Sequence, residues 1–149
     1  MAGKTDAFEL SLLRLIFNAT AIANIADNAA SSPLTNLYVS LHTADPTDAA
    51  GSGQSTNETT YTGYARVAVA RTTGGWTVTQ TAGVTSVSPV SAINFGQCTA
   101  GTAVITHVGI GTAPSGAGVL LYSGSISPAI AVASGVVPQL TTASTISED

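Results

Sequence analysis

Charge is what this sequence has least of. Only 8% of its 149 residues are Asp, Glu, Lys or Arg, against about 25% in an ordinary soluble domain. From Thr72 to Ser147 there is none at all. The strong bases are Lys4, Arg14, Arg66 and Arg71, and the net charge is −4. Nucleic-acid binding by charge is thereby excluded as a main task, because neutralising several phosphates takes a cluster of Lys and Arg. Cysteine is represented by Cys98 alone, so no internal disulfide can form and a small buried hydrophobe is the expected role. The apolar run from Leu10 to Ile25 is broken by Arg14, Asn18 and Asn24, which rules it out as a membrane span. Asp6 and Glu9 stand where a secretion signal carries positive charge.

The residues of catalysis are equally thin. The histidines are His42 and His107. Neither His42 with Asp45 nor any Cys/His cluster has a metal-ligand spacing, so both rings are expected to hydrogen-bond within or beside strands. No Gly-x-Ser-x-Gly elbow stands between a strand and a helix. Gly109-Ile110-Gly111 followed by Gly116 and Gly118 lacks the lysine and helix of a phosphate cradle. A carboxylate pair could come only from Asp45, Asp48 or Glu58. The expectation is a protein with no catalytic residues, no cofactor and no metal.

What is present is a change of periodicity. Phe8, Leu12, Leu15, Ile16, Ala19, Ile22 and Ala26 recur at three- and four-residue steps, and Leu10, Leu13 and Phe17 widen the stripe. This predicts a helix over roughly Asp6–Asp27, apolar nearly all round, with Asp6 and Glu9 at capping-box spacing. Pro33 follows the break at Ala29–Ser32. Leu37, Val39 and Leu41 then alternate with Tyr38, Ser40 and His42 in a strand stopped by Asp45-Pro46.

Thr43 to Gly63 is a polar stretch too long for an ordinary connection and reads as an interaction loop, closed by Tyr61 and Tyr64. Strands are predicted at Ala65–Arg71 and Trp76–Thr79, joined as a hairpin by Gly74-Gly75. Further strands fall at Val84–Val87, Ser91–Phe95 and Ala103–Ile110. Others fall at Val119–Tyr122 with Ser125-Ile126, at Ala129–Ala133 and at Val136–Ile146.

Eight or nine short strands after one helix give a mainly β fold: an antiparallel β-sandwich, jelly-roll-like, preceded by one N-terminal α-helix. The division is 1–35 for arm and helix and 36–149 for the sandwich, within a single compact domain. A neutral surface gains little from charge repulsion against association, and exposed strand edges normally carry charged gatekeepers. The chain is therefore expected to pack against copies of itself, as a dimer or trimer. The predicted assembly contacts are Leu12, Ile16, Phe17 and Ile22 on the helix and Asp45, Asn57, Tyr61 and Tyr64 in the loop.

Several motifs fall in a familiar order. Leu37-Tyr38-Val39-Ser40-Leu41-His42-Thr43-Ala44-Asp45-Pro46 is followed by a polar loop and Tyr64-Ala65-Arg66. Thr106-His107-Val108-Gly109 comes next, then a Gly-rich turn and Leu120-Leu121-Tyr122-Ser123-Gly124. This pattern resembles small virion structural proteins of tailed bacteriophages. The resemblance covers most of the chain beyond Leu37. It implies a virion protein, made in the host cytoplasm, of minor-capsid or tail-fibre type, and brings no catalytic residues with it.

The first reading is a capsid decoration (cement) protein on the capsid surface, with itself and the phage major capsid protein as partners and neither nucleic acid nor membrane. The alternatives are a tail-fibre or tail-tip component, and a carbohydrate-binding module stacking sugars on Trp76, Tyr61 and Tyr64.

Overall fold

The structure is a computed structural model that describes residues 6–22, 33–46 and 53–148. The expected N-terminal arm, the break at Ala29–Ser32, Asp48 and the expected helix end at Asp27 lie outside the described residues. So does the Asp6 side chain of the expected capping box.

The elements run α1 (Asp6–Asn18), β1 (Asn36–His42), β2 (Val67–Ala70), β3 (Trp76–Thr81), β4 (Val84–Pro89), β5 (Ile93–Asn94), β6 (Ala103–Gly111), β7 (Leu120–Val132), β8 (Gln139–Leu140) and β9 (Ile146–Glu148). The fold is mainly β, with antiparallel sheets after one N-terminal helix, consistent with the β-sandwich class. The chain forms two compact units. One holds residues 1–35, 70–93 and 140–149; the other holds 36–69 and 94–139.

In the first unit, α1 lies against β3 and β4 of a three-stranded sheet ordered β3-β4-β9. The helix stops at Asn18 instead of reaching Asp27. Ala19 turns left-handed (φ 53°), and the N–H of Thr20 folds back to the Arg14 carbonyl at 3.1 Å. No base stands in the last turn of α1. Arg71 supplies one from a distance, donating from Nε to the Ile16 carbonyl (2.6 Å) and from Nη2 to the Leu15 carbonyl (2.8 Å). A cation there answers both the unpaired carbonyls and the negative end of the helix dipole. Nη1 also donates to the Leu34 carbonyl at 2.7 Å.

The helix is not buried all round. Its buried line is Glu9, Leu13 and Phe17, one helical turn apart, while Phe8 is 40% exposed. Phe17 meets Trp76 edge-on, with centroids 5.0 Å apart, a favoured aromatic geometry. Thr85, Val87 and Pro89 alternate inward along β4.

The expected hairpin at Gly74-Gly75 does not form: β2 pairs in another sheet, and β3 pairs with β4 instead. The two-residue loop is Ala82-Gly83, both at positive φ (51° and 86°). That is the backbone a tight hairpin matching the strand twist requires.

The second unit is organised on a four-stranded sheet ordered β2-β1-β6-β7. β1 and β6 pair antiparallel, Ser40 opposite Gly109 and His42 opposite His107. The strands expected at Val119–Tyr122, Ser125-Ile126 and Ala129–Ala133 are one strand, β7, running through Gly124 and Pro128. Between the pairs Ile105–Ile130 and His107–Ser125, four residues of β7 (126–129) face Thr106 of β6. Pro128 sits in that bulge, where no ladder bond is asked of it.

The last expected strand, Val136–Ile146, is two short pieces, β8 and β9, in different sheets. In the second unit the loops also cross closely. Thr62 bridges Ala100, and the backbones of Gly63 and Gly96 approach so tightly that a Cβ on Gly96 would fall on the Gly63 carbonyl.

Candidate functional site

The densest chemistry in the second unit lies under the loop that the sequence marks for interaction. Strand alternation puts Ser40 and His42 on one face of β1, and both are fully buried. His42 Nδ1 lies 2.8 Å from the Thr56 carbonyl and Nε2 lies 2.9 Å from Ser40 Oγ. A carbonyl only accepts, so Nδ1 carries the hydrogen and Nε2 accepts from the serine. Ser40 Oγ is also 3.3 Å from the Gly109 carbonyl. Burial lowers the His42 pKa from its ordinary value of 6.5, against smaller opposing effects of Thr56 and Glu58. The ring is therefore held neutral. Gly109 makes room for it, since a Cβ there would stand 2.6 Å from His42 Nε2 and 2.8 Å from Ser40 Oγ.

Beside this pair is a buried ion pair. Arg66 donates from Nε to Glu58 Oε1 and from Nη2 to Oε2, both at 2.7 Å. The two side chains are 2% and 16% exposed. The rest of the guanidinium is spent on carbonyls, Nη1 on Ala113 (2.9 Å) and Nη2 on Gly116 (2.6 Å). Its pKa is raised, chiefly by the hydrogen bonds to Glu58. Tyr64 donates its hydroxyl to Glu58 Oε1 at 2.7 Å and accepts the Leu41 N–H at 3.1 Å. Burial pushes that phenol well up.

Gln54 completes the network. Its side-chain amide donates to the Tyr38 carbonyl (2.6 Å), its Oε1 accepts from Ala113 N–H (3.3 Å), and its backbone N–H donates to the Ala117 carbonyl (2.6 Å). Satisfied buried polar networks of this kind fix one conformation. Residues 53–66 and the turn at 112–118 are thus tied to β1 by one set of bonds.

A serine hydroxyl on a histidine nitrogen is the geometry of an activated nucleophile. Here the histidine is oriented by a carbonyl, not a carboxylate, and both side chains are sealed from solvent. The chemistry available to the pair is structural. Among the described residues no three His, Cys, Asp or Glu gather as metal ligands, and no helix is long and apolar enough to cross a membrane. His107 bonds Thr106 Oγ1 through Nδ1 at 2.9 Å. Both histidines therefore hydrogen-bond in or beside strands, as the sequence implies.

The predicted contact residues divide between the units. In the first, Phe17 is fully buried, and Leu12, Ile16 and Ile22 are half-buried. In the second, Asp45 and Asn57 are exposed and joined, the Asn57 amide donating to the Asp45 carbonyl at 2.7 Å. Tyr61 is buried and donates to the Gly96 carbonyl at 2.9 Å. Tyr64 is half-buried and stacked near Phe95. Trp76 and Tyr61 thus offer no exposed ring to a sugar.

Sequence reasoning missed the Glu58–Arg66 pair, although a signal was there. Glu58 is the sole acid between Asp48 and Glu148, and it lies eight residues before a base. The other charges between Asp48 and Glu148 are Arg66 and Arg71, so the one acid there has a base as its available partner.

No curated protein matches the chain. Residues 16–147 match the family model described as podophage GP4 fiber I protein gp80, and the chain belongs to that family of phage virion structural proteins.

Proposed function

We propose that this protein is a non-enzymatic structural subunit of a phage fibre, working as one copy among several. The observation that carries the reading is the family match over residues 16–147, to a family described by a fiber protein. It supports the tail-fibre alternative in preference to capsid decoration. The geometry supports a load-bearing role. Residues 53–66 are pinned by Arg66, Gln54 and His42, and the Ser40–His42 pair is closed to substrates. In this reading the partners are copies of the chain and neighbouring virion proteins, with the major capsid protein, nucleic acid and membrane taking no part.

Antibody-labelled electron micrographs of purified particles, with a mass-spectrometric copy count, test it. Label on fibres and a low copy number are expected. Label spread over the head at hundreds of copies overturns the reading in favour of decoration.

A further inference from the structure

We infer that Ser40 is a reversible partner for His42: its hydroxyl donates to the neutral ring and turns to accept from the charged one, so that residues 53–66 stay docked when acid charges the histidine. The inference goes beyond the fibre reading and does not depend on it.

The geometry offers two acceptors to one hydrogen. Ser40 Oγ lies 2.9 Å from His42 Nε2 and 3.3 Å from the Gly109 carbonyl. Nδ1 faces the Thr56 carbonyl at 2.8 Å, so it carries a hydrogen in both states of the ring. In the neutral ring Nε2 is an acceptor and takes the serine hydrogen. Once Nε2 has taken a proton from solvent it is a donor, and a serine hydrogen still pointing at it would oppose the new one. Turning about the Cβ–Oγ bond sends the serine hydrogen to the Gly109 carbonyl and presents a lone pair to Nε2–H. No proton passes from serine to ring, and each polar atom of the set keeps a partner. A backbone N–H at this place would suit the neutral ring alone, and a carbonyl the charged ring alone. A hydroxyl serves both.

The strand opposite makes the arrangement possible. Ser40 and Gly109 are register partners across β1 and β6. A Cβ at Gly109 would stand 2.8 Å from Ser40 Oγ and 2.6 Å from His42 Nε2, so the bare glycine is what lets Oγ, Nε2 and the carbonyl meet. Of the ring's two hydrogen bonds, the one to Thr56 reaches into 53–66. A charged donor strengthens such a bond, so charging the ring does not by this route let the segment go.

The surrounding charges decide where the ring takes its proton. Burial opposes the charged ring most, Arg66 and His107 oppose it less, and Glu58 favours it. Tyr64 and Arg66, both bonded to Glu58, keep their own protons, since burial raises the phenol and the bonds to Glu58 raise the guanidinium. Glu58 is therefore the acid that faces the charged ring, and charging sets in below the ordinary 6.5.

Two experiments on the purified full chain test this. Imidazole NMR resonances followed through an acid titration give the His42 pKa, with His107→Gln to tell the two rings apart. Ser40→Ala takes an ordinary hydrogen bond from the neutral ring and a stronger, charge-assisted one from the charged ring, so the pKa is expected to fall by about one unit. A serine that can only donate predicts the opposite sign, because its loss would harm the neutral ring alone. A rise, or no change, overturns the inference. The second experiment needs no variant and decides the matter if Ser40→Ala does not fold. Hydrogen exchange of the wild type, corrected for its intrinsic dependence on pH, is compared above and below the His42 titration. Protection over 53–66 should fall no further than protection over β1 and β6. Loss confined to 53–66 overturns the inference, as does a ring that takes up no proton until the whole fold is lost.

Discussion

The two units hold a non-strand segment against a sheet by opposite means. In the first, α1 is held by Leu13 and Phe17, with Phe17 edge-on to Trp76, and by Arg71 on its last carbonyls. In the second, residues 53–66 are held by a buried network of Gln54, Glu58, Tyr64, Arg66 and His42. Apolar contact is non-directional and nearly indifferent to pH and salt. A buried ion pair is directional, and removing one partner leaves the other charge without compensation. The helix can therefore lose contacts by degrees, whereas the loop is held all together or not at all.

The largest expected effect breaks the polar side. Arg66→Ala strands Glu58 and frees the carbonyls of Ala113 and Gly116, and should cost about 3–5 kcal/mol in denaturant unfolding. Hydrogen exchange should rise over 53–66 and spare α1; equal loss in α1 would erase the distinction between the units. Phe17→Ala is the mirror experiment. It should cost about 3 kcal/mol through the cavity beside Trp76, with exchange rising in α1 and not over 53–66. Gly109→Ala sharpens the contrast, since its Cβ would press on His42, Ser40 and Leu120. About 1–3 kcal/mol is expected, with no change at α1.

The smallest effect is that of acid. His42 has a lower pKa folded than its ordinary 6.5, so the unfolded chain takes up the proton first. Its contribution is fully present above pH 6.5 and is lost as pH falls below that toward the folded value. Melting temperature between pH 7.5 and 5 should show the loss, and His42→Gln should flatten that part of the profile.

What could be read in advance followed burial. β1 and β6 are legible from their β-branched and apolar runs, with Leu37, Val39 and Leu41 alternating in β1, although both faces of β1 are covered from Ser40 to His42. The Ser91–Phe95 strand kept its inward pair, Ile93 and Phe95, though only Ile93–Asn94 is laddered. Apolar spacing continues past Asn18 and implies a longer helix, whereas the helix end is set by the left-handed Ala19 and by Arg71 from far along the chain. Gly74-Gly75 has the residues of a tight turn, while the operative turn begins with an alanine at positive φ. Propensity gives no notice of that.

The loop was recognised by length and polarity. Its anchoring side chains were not, because a network closes only when residues 58, 66, 113 and 116 are brought together by folding.

The crossing of Gly63 and Gly96 carries a consequence for inheritance. A methyl on either residue would land on the opposing strand of chain, on the Gln97 carbonyl in one case and the Gly63 carbonyl in the other. Gly63 in addition holds φ at 101°, a conformation side chains resist. The two positions therefore behave as a single locus: a lineage that abandons this crossing should change both, and one that keeps it should change neither.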